Sequence, residues 1–127
     1  MKVNRIFSSI QGEGIYVGVR QVFIRFSGCN LSCEYCDENV DDYKDMTVEQ
    51  IAGDIASLNR TYHHSLSLTG GEPLLQVDEI LQLLPHITLP VYLESNATLP
   101  DHLAEVKDKV DVFSLDYKEG YEQAFQS

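Results

Sequence analysis

The sequence predicts an α/β fold, a parallel sheet of about four to five strands with helices on its outer face. Three observations carry this. Segments rich in β-branched and aromatic residues alternate with segments of helical period, the pattern of βαβ units. The polar or glycine-rich stretches "SGCN", "TGGEP", "ESN" and "DYK" each fall where a strand should end, and open parallel sheets bind ligands beyond the carboxyl ends of their strands. The 127 residues hold no repeat, low-complexity tract or linker, so one domain is expected over residues 1–127.

The elements follow in order. Val3 to Ser8 can form an additional N-terminal strand. "QVFIRFS" (Gln21 to Ser27) reads as a buried strand. In "TVEQIAGDIASLN", Thr47 and Gln50 stand at capping-box spacing, and Val48, Ile51, Ala52, Ile55 and Leu58 form one helical face. "SLSLT" (Ser65 to Thr69) is a short strand that stops at "GGEP". Asp78 is expected to cap a helix carrying Ile80, Leu81, Leu84 and Ile87, which Pro85 must bend or end. "PVYLES" is a third strand, Pro100 and Asp101 suit a first helical turn, and Val110 to Asp116 form a fourth strand. A parallel barrel cannot close with so few strands, so the fourth is expected to be an exposed edge.

Composition narrows the function. Hydrophobic residues make up 43% of the chain and charged residues 23%, enough to build a packed core and argue against disorder. No apolar run approaches the roughly 20 residues of a membrane span, and the N-terminus lacks the apolar core of a signal peptide; a cytoplasmic protein is expected, with no membrane partner. The net charge of -11, from 9 basic and 20 acidic residues, repels a phosphate backbone and argues against nucleic acid.

All three cysteines lie in "CNLSCEYC", as Cys29, Cys33 and Cys36, spaced C-x3-C-x2-C. An odd number at short spacing does not suit a disulfide framework. Thiolates are soft ligands for zinc or an iron–sulfur cluster. A closed zinc site needs a fourth ligand; Asp37 adjoins the last thiol, but none of His63, His64, His86 and His102 stands at a convincing ligand spacing. A [4Fe–4S] cluster held by three cysteines instead keeps one iron without a protein ligand.

The C-x3-C-x2-C loop after the first barrel strand, followed by "LTGGEPLLQ", resembles the radical S-adenosylmethionine (SAM) superfamily. The resemblance implies an incomplete (β/α)6 barrel, with this chain as the N-terminal two-thirds of the expected fold. It also implies that SAM chelates the free iron, accepts an electron and yields a 5′-deoxyadenosyl radical that abstracts hydrogen. Residue by residue, it implies cluster ligands at Cys29, Cys33 and Cys36. SAM contacts are implied at Gly70, Gly71 and Glu72 of "TGGEP", and at Glu94, Ser95 and Asn96 of "LESNATLP". Tyr35 would lie near the adenine, and Ser114 and Lys118 of "SLDYK" complete the cofactor set. The bland readings are an ordinary strand-to-helix turn with Glu72 at the next helix end, a strand terminated by Asn96, a Tyr35 that merely shields the cluster, and an Asp116–Lys118 pair.

Upstream, "IFSSIQGEG" and "VGVRQVFIRFSGCNLSCEYCD" are similar to the 7-carboxy-7-deazaguanine synthase family, whose substrate is a carboxylated tetrahydropterin. That likeness implies substrate contacts at Gln11, Glu13, Gly14, Arg25 and Thr69, with Arg25 suited to bind a carboxylate bidentately. The bland reading of Arg25 is a strand residue paired with an internal acid. Asp37 and Glu38 are the expected Mg²⁺ ligands, although the family often has threonine or serine where Glu38 stands. A flavodoxin or ferredoxin is implied as electron donor and a homodimer as the assembly. "SLDYK" is closer to sequences of glycyl-radical activating enzymes, which is the alternative function; a truncated cluster-binding domain without catalysis is a third.

Overall fold

The computed structural model describes residues 1–12, 16–27, 43–96 and 99–115. Along them run β1 (Lys2–Ile10), β2 (Arg20–Phe26), β3 (Lys44–Asp45), α1 (Val48–Leu58), β4 (Ser65–Gly70), α2 (Val77–Leu83), β5 (Val91–Ser95), α3 (Pro100–Val106) and β6 (Val112–Leu115). The strands form one sheet in the order β3-β1-β2-β4-β5-β6. β2, β4, β5 and β6 run parallel, as the βαβ pattern predicts. β6 closes the sheet as an edge among the described residues.

Two features correct the sequence reading. Among the described residues the sheet has six strands rather than four to five, and it is mixed, because β1 lies antiparallel to β2. The reason is the short 11–19 connection. Parallel neighbours need a crossover of about a dozen residues or more, whereas a hairpin closes in a few. Here Gln11 N–H donates to Val19 O at 2.9 Å, Gly18 N–H donates to Gln11 O at 2.8 Å, and Gly18 adopts φ +89°. The sixth strand, β3, has only two residues and pairs with Lys2 and Val3.

The helices form where their sequences provide starts and stops. Thr47 accepts from Gln50 N at 3.1 Å while the Gln50 side chain accepts from Thr47 N at 2.9 Å, so the expected capping box opens α1. Ile51 and Ile55 are buried, and Val48, Ala52 and Leu58 pack partly against the same core. Pro100 opens α3 with Asp101 in its first turn. The expectation for α2 needs correction. The chain turns helical at Pro73, as a 3-10 segment capped by Glu72, and Asp78 lies inside the first turn of α2 instead of capping it. The fixed φ of Pro73 suits the first helical position, and the Glu72 carboxylate supplies the cap. Pro85 falls in a second 3-10 turn (Leu84–His86) that ends the helix.

Alternation sorts the strand residues between two faces. Val22, Ile24 and Phe26, Leu66 and Leu68, and Val91 and Leu93 join Ile51, Ile80, Leu83 and Val106 of the helices in one core. Each such side chain taken fully from water contributes on the order of 1.5–3 kcal/mol. The opposite face is polar for a sheet interior: Gln21 and Arg25, Ser65, Ser67 and Thr69, Glu94 and Ser114. No described helix is long and apolar enough to cross a membrane.

Candidate active site

Arg25, Thr69, Glu94 and Ser114 are the next-to-last residues of β2, β4, β5 and β6. Arg25 stands opposite Thr69, Thr69 Oγ1 donates to Glu94 Oε2 at 2.8 Å, and Glu94 stands opposite Ser114. Parallel registration thus turns four scattered positions into one polar row at the carboxyl ends of the strands. Three of them, with Gln11, Gly12, Ser9, Ile10, Phe7 and Phe23, line a cavity of about 410 Å³. Of the residues predicted from sequence, this cavity gathers Gln11, Arg25, Thr69 and Glu94.

Among the described residues Arg25 has no acid as ion-pair partner. The ion pair formed among the described residues joins the N-terminus to Asp45. The Arg25 guanidinium instead lies over the Phe7 ring, 5.2 Å from its centroid, and Phe7 stacks on Phe23 at 5.2 Å. A half-buried guanidinium on an aromatic platform is less hydrated than a free one.

Gln11 is buried at 4% exposure and anchors rather than dangles. Its Nε2 donates to Gln21 Oε1 at 2.7 Å, and Gln21 Nε2 donates to Ser65 Oγ at 2.8 Å. These hydrogen bonds tie the β1–β2 hairpin to β4, with Gln11 in the cavity lining.

Beside the cavity lies a second polar unit. Glu72 is fully buried. Its Oε1 accepts from Asn96 N at 2.6 Å and its Oε2 from Leu74 N at 2.9 Å, while Ser95 Oγ donates to both oxygens at 3.1 Å. Burial pushes the Glu72 carboxyl above its ordinary value, opposed by these hydrogen bonds and by nearby His102. The unit splits the predicted "ESN" set: Glu94 opens onto the cavity, whereas Ser95 turns to the helix side and joins Glu72.

Gly70 has φ +107°, and a Cβ there would run into Phe26 O, 2.5 Å from Phe26 N and 2.9 Å from Arg25 Cγ. Gly71 N–H donates to Phe26 O at 3.0 Å. The two glycines therefore let β4 end flush against β2, where Ser27 leads into the cysteine segment. Glu13, Gly14, Cys29, Cys33, Tyr35, Cys36, Asp37, Glu38 and Lys118 lie outside the described residues.

A sequence model of the Radical SAM superfamily matches residues 23–125. The chain belongs to the radical SAM superfamily. It is 38% identical over 141 residues to a 7-carboxy-7-deazaguanine synthase of Geobacter sulfurreducens, covering 92% of this chain and 56% of the relative. It is 46% identical over 120 residues to the enzyme of that name from Methanothermobacter thermautotrophicus, covering 89% and 47%. The chain thus spans about half the length of these relatives. The crystal structure of QueE from Escherichia coli shares the fold, with TM-score 0.62 and 22% identity, over 76% of this chain and 53% of that one.

Membership in this superfamily implies a [4Fe–4S] cluster and SAM. The donor set of this radical SAM chain suits the cluster. Three thiolates are soft donors of the kind a cluster takes, and the segment bearing them follows directly on Ser27, whose N–H is fixed to Lys2 O at 3.0 Å. Sequence reasoning did not single out Phe7, Ser9 or Phe23. The signal was present: the alternation that exposes Arg25 on the inner face puts Phe23 there too, and "RIFSSIQ" repeats it for Phe7, Ser9 and Gln11.

Proposed function

We propose that this chain acts as a 7-carboxy-7-deazaguanine synthase, converting 6-carboxy-5,6,7,8-tetrahydropterin to 7-carboxy-7-deazaguanine with release of ammonia. The observation that supports it most is the cavity uniting Gln11, Arg25, Thr69 and Glu94 on the polar face of the sheet. A flat, polar ring bearing a carboxylate needs an aromatic platform, a guanidinium and fixed acceptors, and Phe7, Arg25 and the Thr69–Glu94 pair are of those types.

Cys29, Cys33 and Cys36 would hold the cluster. Gly70, Gly71, Glu94, Asn96, Ser114, Tyr35 and Lys118 would line the SAM site, with Glu72 and Ser95 fixing the backbone of the β5 end under it. When bound, the cluster and SAM supply a one-electron route to hydrogen-atom abstraction. Arg25 would bind the substrate carboxylate and set which face of the ring is presented. Thr69 orients the Glu94 carboxylate, and Gln11, Glu13 and Gly14 would close the side of the site nearest the hairpin. Asp37 and Glu38 would offer oxygen ligands to Mg²⁺, which a hard cation prefers. A flavodoxin or ferredoxin as reductant, a cytoplasmic setting and a homodimer belong to the same reading.

Anaerobic reconstitution with iron and sulfide, followed by reduction, tests it. A [4Fe–4S]⁺ electron paramagnetic resonance signal, SAM cleavage and deazaguanine product from the carboxypterin are expected. SAM cleavage without that product would favour a glycyl-radical activating enzyme. Zinc alone, with no cleavage, would overturn both.

A further inference from the structure

The polar row has a fifth member that the sequence reading did not single out. β1 pairs with β2 in a register that slips by one residue, Val3 opposite Phe26 but Arg5 opposite Arg25, with Asn4 as the extra residue. Such a bulge re-aims the side chains that follow it. Strict alternation would keep Val3 and Arg5 on one face. Instead Val3 is buried in the helix-side core, while Arg5 emerges beside Arg25 on the cavity side. The Arg5 guanidinium lies over the Phe7 ring, 4.8 Å from the centroid, and Arg25 lies over the same ring at 5.2 Å.

This arrangement works against folding. Like charges directly opposite on neighbouring strands repel, and among the described residues neither guanidinium has a carboxylate partner. The chain carries 20 acidic residues against 9 basic ones, so an acid could readily have been placed there. Two forked cations over one aromatic ring that itself lines the cavity match a planar oxyanion that takes hydrogen bonds from both.

We infer that Arg5 and Arg25 form a two-guanidinium clamp for a carboxylate entering the cavity, and that Arg5 is a specificity residue for carboxylate-bearing substrates. The inference deepens the proposed function and rests on it only for the identity of the carboxylate. Arg25, in the cavity lining, grips the group; the exposed Arg5 opposite it selects and steers it.

The test is calorimetric binding, under anaerobic conditions and with SAM, to the reconstituted chain and its R5Q, R5K and R25Q variants. Three probes are used: 6-carboxytetrahydropterin, tetrahydropterin without the carboxylate, and benzoate. R5Q is expected to weaken carboxypterin binding about tenfold, with R5K intermediate, and to leave carboxylate-free pterin unchanged. R5Q should also be at least as stable to heat as the parent chain, since it removes a repulsion. Arg5-dependent benzoate binding without carboxypterin binding supports the clamp and overturns the substrate reading. Equal carboxypterin affinity of R5Q and parent overturns the clamp and leaves the substrate reading standing. Equal weakening of all three probes, or no binding of either carboxylate, also overturns the clamp.

Discussion

The backbone N–H of Asn96 donates a 2.6 Å hydrogen bond to Oε1 of Glu72, tying the end of β5 to the turn that follows β4. A buried carboxylate thereby does the work of a cap and a cross-strut at once. It also carries a cost, because burial disfavours its charge.

That cost makes stability depend on pH. The Glu72 carboxyl is raised above its ordinary value of 4.5, chiefly by burial. Below 4.5 the group is protonated in both folded and unfolded chains. As pH rises from there to the raised folded value, the unfolded chain loses its proton first, so the contribution to stability falls through that window and then levels. Urea unfolding from pH 4.5 to 8 should show this fall in the parent chain and not in Glu72→Gln. Parallel curves for the two proteins would refute it. At neutral pH Glu72→Leu should cost about 3 kcal/mol or more, since three donors lose their acceptor in a buried place.

Gly70 should tolerate no side chain. Gly70→Ala combines a φ of +107° with a Cβ driven into the Phe26 backbone. A loss of more than about 2 kcal/mol is expected, together with poorer cluster retention, because the same contact sets the end of β2. An alanine variant of parental stability by thermal unfolding would show that the strand ends sit farther apart.

The capping box of α1 predicts a smaller effect. Thr47→Ala should destabilise by about 1 kcal/mol, whereas Thr47→Ser should keep most of the parental stability. Denaturant midpoints at constant slope would measure it. No change in Thr47→Ala would mean that α1 is held by its buried Ile51 and Ile55 alone.

Thr69→Val removes the 2.8 Å hydrogen bond that orients Glu94 while keeping the side-chain shape. The site being half-buried, stability should change by less than about 1 kcal/mol. Substrate affinity should fall roughly tenfold, about 1.4 kcal/mol. A KM effect without loss of stability is the expected signature; a purely thermal effect would assign Thr69 to the scaffold.

Much of the site was legible in local sequence. "TVEQ" announced a helix start, "SLSLTGG" a strand with a glycine end, and Arg25, Thr69 and Glu94 could each be seen near a strand terminus. Their alignment into one row follows once the strands are known to be parallel. The direction of the Glu72 side chain was open between ligand contact and helix end. The structure places it in the cap, where the N–H groups of Leu74 and Asn96 both donate to it.

By itself, the sequence determined the parallel α/β core, the helix boundaries set by Thr47 and Pro100, and the three-thiol spacing, all governed by residues close in the chain. Only the tertiary structure decided the antiparallel seat of β1, the parting of Glu94 from Ser95, and the meeting of Arg5 with Arg25. Strand register and bulges are properties of pairs of segments, so one extra residue at Asn4 sends every later side chain of β1 to the other face.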